Sequence, residues 1–419
     1  MGLFSRLLTA AAVCFPLLAA PHIELSEYKT RRDALRKTMG DSVAILFGNS
    51  ENSGGDARDG FFQEPNFYYL TGWNQPGAVL VMTPKIDIFL IPRRDPIQER
   101  WTGPKAAPGD NNVTAVTGFE TVVPTESFEV KLPEWLAEGK SVMTLQQTAD
   151  KLQKLVPMRQ TKPIDQNIAR LRAMKSPAEI AMIQFTTDVD IEAHRAAWKA
   201  IRAGKQEYEV ASLMTAVYFS RGCERHAYSP IVGSGPNGAV LHYFRNKRQM
   251  DTGELLLMDV GSECSMYATD ITRTVPVNGK FTPRQRELYE VVLGAWKAAL
   301  AAVKPGIQLG HSRNPVGLHK IAADYINTHG KDLKGEPLGK YFIHGLGHHV
   351  GLEVHDANDP AIPLAAGMVI TLEPGIYIPD EGIGIRIEDM VLVTEDGGRV
   401  LSDALPREAA DIEKAMAAK

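Results

Sequence analysis

The sequence predicts an α+β chain of two domains: a smaller N-terminal α/β domain over residues 22–165 and a larger second domain over 166–419. Three observations predict it. The 419 residues exceed one ordinary domain. Before residue 165, short apolar runs alternate with breaks rich in Gly, Pro and Asn. Beyond it, helix patterns with sharp start signals alternate in pairs with β-rich segments.

Residues 1–20 stand apart. Met1–Arg6 carries one cation, Leu7–Ala20 is almost wholly apolar, and small residues close it at Ala19 and Ala20. That order is the order of a secretory signal peptide, and it predicts a secreted or periplasmic protein. The run is short for a bilayer span; a buried first helix is the competing reading. Val13 before Cys14 is a poor match to a lipid-anchor signal, and no later segment is long and apolar enough to cross a membrane. No membrane anchor is expected.

In the first domain, Tyr28–Met39 reads as a helix and Ser42–Phe47 as a strand ending at Gly48. Asn49–Gly60 is a loop by composition, as is Pro104–Asn112. Strands are expected at Phe67–Thr71, Ala78–Met82 and Ile86–Ile91. The boundary falls within Thr161–Ser176.

The second domain opens on Ser176-Pro177-Ala178-Glu179: an N-cap Ser, a Pro at the first helical position and a Glu that completes a capping box. This helix is expected to run to Ala203, before Gly204, with a second over Gln206–Arg221. The same signature recurs at Thr282-Pro283-Arg284-Gln285, opening a helix to about Lys304. A fourth helix is expected over Val316–Asn327. Strands are expected at Leu255–Val260, Ala268–Val277, Met368–Glu373 and Gly384–Val393. The order helix pair, strands, helix pair, strands hints at an internal duplication.

The net charge of −4 and short, scattered basic triplets argue against a nucleic-acid partner. With Cys14 in the signal, Cys223 and Cys264 remain, either as a pair or as two buried thiols.

Chemistry concentrates in five segments. Asp259 directly follows the apolar run Leu255–Met258, where a carboxylate is costly unless paired or bound to metal. Asp270 follows eleven residues on, and Gly261-Ser262-Glu263 allows a turn that sets both Asp on one face of a hairpin. Two turn-capping residues would look the same. Residues 344–355 hold four of the chain's 11 His (His344, His348, His349 and His355), between glycines at 345, 347 and 351. That clustering points to metal binding or proton transfer, with the glycines expected to let the backbone approach a ligand. Glu373 follows Met368–Leu372. Glu388 lies in an alternating run that sets Arg386 and Glu388 on one face. Two Asp, two Glu and one His form an oxygen-rich donor set suited to a pair of divalent ions, Mn²⁺, Co²⁺, Fe²⁺ or Zn²⁺.

With these residues in view, the chain resembles the pita-bread metallopeptidases, of the Xaa-Pro aminopeptidase (aminopeptidase P) type. The matching segments are Ile231–Gly235, Leu241-His242-Tyr243, Met258–Gly261, Thr269–Thr274, His344–His348, Val354-His355-Asp356, Leu372–Gly375 and Arg386–Asp389. Phe67–Gly72 and Glu99–Gly103 resemble that family's first domain.

The resemblance implies a C-terminal pita-bread catalytic domain and metal ligands at Asp259, Asp270, His348, Glu373 and Glu388. Asp270 and Glu388 would bridge both ions, Mn²⁺ first among the candidates. His242, His344 and His355 would handle substrate and protons, Arg386 would steady a ligand, and Glu373 would accept the proton of the attacking water. The implied substrates are peptides with proline in second position; Tyr228 and Tyr243 are candidate walls for its ring. The resemblance also implies a homo-oligomer, dimer or tetramer, with Trp73, Arg100 and Trp101 as candidate contacts unless the tryptophans pack in their own domain. An Xaa-Pro dipeptidase uses the same five ligands and is the alternative; a metal-free binding protein of the same fold ranks lower.

Overall fold

The computed structural model describes residues 21–51, 60–359 and 362–418. The expected signal segment 1–20, with Cys14, lies outside the described residues, as do positions 52–59 of the loop expected over 49–60.

The first domain is a six-stranded mixed sheet with helices on both faces. Its elements are α1 (Leu25–Met39), β1 (Ser42–Phe47), α2 (Pro65–Thr71), β2 (Val79–Met82), β3 (Asp87–Ile91), α3 (Glu99–Thr102), α4 (Val113–Thr117), β4 (Thr121–Pro124), α5 (Phe128–Leu136), β5 (Ser141–Thr144), α6 (Ala149–Leu155) and β6 (Thr161–Pro163). The strand order is β4-β3-β2-β1-β5-β6. Strand alternation explains the two cores: Ala44 and Leu46 of β1 face one side, while Val43, Ile45 and Phe47 pack with Phe128, Leu132 and Trp135 on the other.

Phe67–Thr71, expected as a strand, is helical. Its aromatic run suits a strand, but the ends decide otherwise. Glu64 caps it, its carboxylate accepting the N–H of Phe67 at 2.6 Å. Pro65 starts it, and Gly72 stops it in the left-handed conformation at φ 66°.

Helix α7 (Asp165–Ala173) bridges the domains across the expected boundary. Asn167 Nδ2 reaches back to Thr38 Oγ1 at 3.0 Å, while Arg170 reaches forward to Asp359 at 3.0 Å.

The second domain has α8 (Pro177–Ala200) and α9 (Glu207–Ser220), then β7 (Arg225–His226), β8 (Ile231–Ser234), β9 (Leu255–Val260), β10 (Ser262–Cys264), β11 (Tyr267–Ala268) and β12 (Ile271–Pro276). There follow α10 (Pro283–Ala302), α11 (Gly317–His329), β13 (Val369–Leu372), β14 (Gly375–Ile378), β15 (Ile383–Arg386), β16 (Asp389–Thr394), β17 (Gly397–Val400) and α12 (Ala409–Ala417). Both predicted capping boxes form, at Ser176/Glu179 and Thr282/Gln285. The first helix ends at Ala200, three residues before the expected stop. Helix pairs cover antiparallel sheets ordered β12-β9-β8 and β13-β16-β17, in the repeating order read from the sequence.

Two expected strands are broken. Ala268–Val277 divides around Thr269-Asp270, and Gly384–Val393 divides at Ile387-Glu388. Both breaks fall at candidate ligands. Cys223 and Cys264 form a disulfide, joining the end of α9 to β10.

Candidate active site

The β9–β12 pairing sets Asp259 opposite Thr272, with Asp270 just before β12. Both carboxylates face one way, since the Tyr228 hydroxyl lies 2.5 Å from Oδ1 of each. The hairpin does not turn at 261–263. It continues through β10 and β11 and turns at Ser265-Met266, both at positive φ.

The other half of the site comes from β13. His348 N–H donates to Thr371 Oγ1 at 3.1 Å, and that hydroxyl donates to Glu373 Oε1 at 3.3 Å. Thr371 therefore ties both segments together; nothing in the sequence marked it. A Cβ on Gly347 would collide with the Thr371 carbonyl, so this glycine admits neighbouring backbone rather than a ligand. His348 Nε2 stands 3.4 Å from Asp270 Oδ2 and 3.6 Å from Glu373 Oε1. Its Nδ1 donates to the His349 carbonyl at 3.1 Å, which leaves Nε2 facing the acids.

Glu388 sits in the break between β15 and β16, not on one strand face with Arg386 as the alternation suggested. Its N–H donates to the Thr272 carbonyl at 3.1 Å, and its Oε2 accepts from Thr272 Oγ1 at 2.6 Å. Ligand atoms of Asp270, His348 and Glu388 all lie within 4.8 Å of one another.

Arg386 is the cation at this cluster. Nη2 donates to Asp259 Oδ2, Nε to Thr272 Oγ1 at 3.1 Å, and Nη1 to Tyr377 OH at 2.6 Å. The Tyr377 hydroxyl donates to His344 Nε2 at 2.9 Å, while His344 Nδ1 donates to the Gly345 carbonyl at 2.7 Å. A polar chain thus runs Asp259–Arg386–Tyr377–His344. Tyr377 had no sequence signal beyond its place in an apolar strand.

One guanidinium and one imidazolium cannot balance four clustered carboxylates. Burial pushes Asp259 up to about 6 against the pull of Arg386, and Glu373 up to about 7 against the pull of His348. Burial, with Asp270 and Glu373 beside it, raises Glu388 well above its ordinary value. Asp270 is lowered despite burial, because His348 and Tyr228 hydrogen-bond to it. His348 is raised to about 9, the hydrogen bond to Asp270 outweighing burial. Burial lowers His344 to about 3 and lowers His355 as well. Acids forced to hold protons in a shared hollow form the environment that divalent cations relieve. The donor set, oxygen-rich with one imidazole, fits such ions.

The hollow opens into a cavity of about 590 Å³ lined by His242, His344, His348 and His355, with Tyr228, Ile231, Leu241, Phe244 and Val354 as walls. His311, which lies in no recognisable motif, also lines it. Tyr243 does not line it; its hydroxyl donates to Glu207 Oε2 at 2.8 Å, in a buried network that holds residues 234–248. His349 stays outside, with burial lowering it to about 4.

Comparison with known proteins agrees with this geometry. The pattern of metallopeptidase family M24 matches residues 181–395, and that of the aminopeptidase P N-terminal domain matches residues 28–144. The chain is 35% identical to an Xaa-Pro aminopeptidase of Haemophilus influenzae, over 94% of this chain and 97% of that one. It is similar to the solved structure of Pseudomonas aeruginosa aminopeptidase PepP, with 30% identity and a TM-score of 0.85, over 94% of this chain and 98% of that one. It is also similar to zinc-substituted Escherichia coli aminopeptidase P in complex with product, with 30% identity and a TM-score of 0.82, over 94% and 99%. The chain belongs to metallopeptidase family M24.

Proposed function

We propose that this family M24 chain is a metal-dependent Xaa-Pro aminopeptidase, hydrolysing the bond between an N-terminal residue and a following proline. The observation that carries the reading is the convergence of Asp259, Asp270, His348 and Glu373 on one cavity, with Glu388 within mutual ligand reach of Asp270 and His348. The relatives are Xaa-Pro aminopeptidases, and the N-terminal domain matches aminopeptidase P; the dipeptidase alternative is not favoured.

Those five residues would hold two divalent cations, and we take Mn²⁺ as the first candidate. Bound there, the cations would polarise the scissile carbonyl and raise the acidity of the attacking water. Glu373 accepts a proton from that water, while Thr371 and His348 hold its carboxylate in place. His355, beside His348, stabilises the charge that develops on the carbonyl oxygen. His242 and His344 face the bound peptide, and His242 returns a proton to the prolyl nitrogen as the C–N bond breaks. Tyr377, held by Arg386, and the Gly345 carbonyl engage both ring nitrogens of His344 and fix its tautomer. Leu241, Ile231, Phe244 and Tyr228 receive the proline ring.

Two further readings belong to the same proposal. Export is supported by the 1–20 sequence pattern and by the Cys223–Cys264 disulfide, which suits an oxidising compartment. A homo-oligomer is supported by Ile97 and Trp101, 69% and 83% exposed on and beside α3. Trp73, by contrast, packs edge-on against Phe89 within its own domain.

The test is a substrate series. Xaa-Pro-Yaa tripeptides and Xaa-Pro dipeptides are assayed with Mn²⁺ and with a chelator. Metal-dependent cleavage of tripeptides is expected. Cleavage of dipeptides alone would replace the reading with a dipeptidase, and no metal-dependent cleavage of either would overturn it.

A further inference from the structure

Residues 351–358 carry no helix or strand. Yet they hold the ring of His355 4.2 Å from that of His348, centroid to centroid. Asp356 is what fastens them. Its Oδ2 accepts from Lys175 Nζ at 2.9 Å, and its Oδ1 from Arg172 Nη2 at 2.5 Å and from the Glu353 N–H at 3.3 Å. Its own N–H donates to the His349 carbonyl at 2.9 Å. A Cβ on Gly351 would collide with Asp356 Oδ2 and stand 3.0 Å from Lys175 Cε, so the ion pair packs directly on that backbone.

Both cations come from outside the segment. Arg172 is in the last turn of α7, and its Nη1 donates to Asn66 Oδ1, on α2, at 2.8 Å. Lys175 lies in the link to α8, with its N–H on the Gly367 carbonyl at 2.9 Å. Against burial, the two charges hold the Asp356 carboxyl down to about 2. Buried charges held by several partners are rigid, and removing one partner leaves the others uncompensated. A polar chain therefore runs from α2 of the first domain, through Arg172, to the residue next to His355.

We propose that Asp356, clamped by Arg172 and Lys175, is a positioning residue that fixes His355 over the active site, so that the seating of the N-terminal domain sets turnover. The proposal rests on the role given to His355 above.

The test uses the full-length protein, Mn²⁺-loaded for kinetics, metal-free for calorimetry and loaded with diamagnetic Zn²⁺ for the His355 resonances. Arg172→Met and Asn66→Ala are each made alone and in a His355→Ala background. Tripeptide kcat and KM, Mn²⁺ affinity by calorimetry and the imidazole resonances of His355 are measured. Arg172→Met is expected to lower kcat about tenfold with KM and Mn²⁺ affinity little changed, and to shift the His355 resonances. In the His355→Ala background its effect should fall below about twofold, because residues that act through one another are not additive. Asn66→Ala should show a smaller loss with the same pattern. Equal losses in both backgrounds, or full activity with unmoved resonances, would overturn the proposal. If Arg172→Met does not fold, the Asn66→Ala comparison decides by the same criteria. If His355→Ala proves fully active, the role given to His355 fails; the positioning claim then stands or falls on the His355 resonances.

Discussion

Thr272 donates its hydroxyl hydrogen to Glu388 Oε2 at 2.6 Å. The contact ties the strand paired with Asp259 to the break that presents Glu388. Thr272 Oγ1 in turn accepts from Arg386 Nε at 3.1 Å. One buried hydroxyl thus orients a candidate ligand and the cation that steadies another.

Thr272→Val keeps the shape and removes both contacts. Mn²⁺ affinity should fall about 10- to 100-fold, the usual cost of losing an outer partner of a ligand. Stability should fall by about 1–3 kcal/mol, because Arg386 Nε is left buried without an acceptor. Calorimetric titration and thermal unfolding check this; unchanged Mn²⁺ affinity would remove Thr272 from the site.

Glu373→Gln is nearly isosteric and keeps an oxygen for Thr371. The circular dichroism spectrum should be unchanged while kcat falls by about 10²–10⁴, the scale of general-base catalysis. Near-normal turnover would deny Glu373 that role.

Stripping metal should make stability depend on pH in a definite direction. In the fold Asp259 is pushed up to about 6 and Glu373 up to about 7, and His348 is raised to about 9. All three bind protons more tightly folded than unfolded, so each favours the fold less as pH rises. Between pH 5 and 8 the chelated protein should lose several kcal/mol, at most about 6. The Mn²⁺-loaded protein should not follow that slope, because bound cations take the place of those protons. Chemical denaturation at the two pH values, with and without chelator, measures it.

Tyr228→Phe and Tyr243→Phe should separate. Tyr228 touches Asp259 and Asp270, so its variant should weaken Mn²⁺ binding. Tyr243 touches Glu207, so its variant should cost about 1 kcal/mol of stability with KM little changed. A raised KM for Tyr243→Phe would return that residue to the substrate pocket.

Reducing the Cys223–Cys264 disulfide should lower stability by about 2–4 kcal/mol, because it closes a loop of 41 residues. Thermal unfolding with and without reductant checks this.

The sequence by itself determined whatever rests on local chemistry. Ser176 and Thr282 start helices because hydroxyl, Pro and Glu or Gln at fixed offsets satisfy the first N–H groups wherever the helix lies. Leu255–Val260 had to be a buried strand, and an acid at its end had to be compensated. The clustered histidines marked the site for the same reason: that composition has few other uses. Tertiary structure decided the rest. Phe67–Thr71 has strand-forming side chains, but the Glu64 cap and Gly72 make it a helix. The alternation through Arg386 and Glu388 reads as one strand. Only the Thr272 carbonyl and hydroxyl, 116 residues away from Glu388, pull it apart into a ligand-bearing turn. Thr371, Tyr377 and the Arg172–Asp356 clamp were invisible for a related reason. A hydroxyl or an ion pair acquires its role from partners distant in the chain, and hydrophobic periodicity does not say which partners the fold brings near. The four acids and His348 were legible one by one; that they converge, and that Tyr243 lies outside the cavity, was settled by packing.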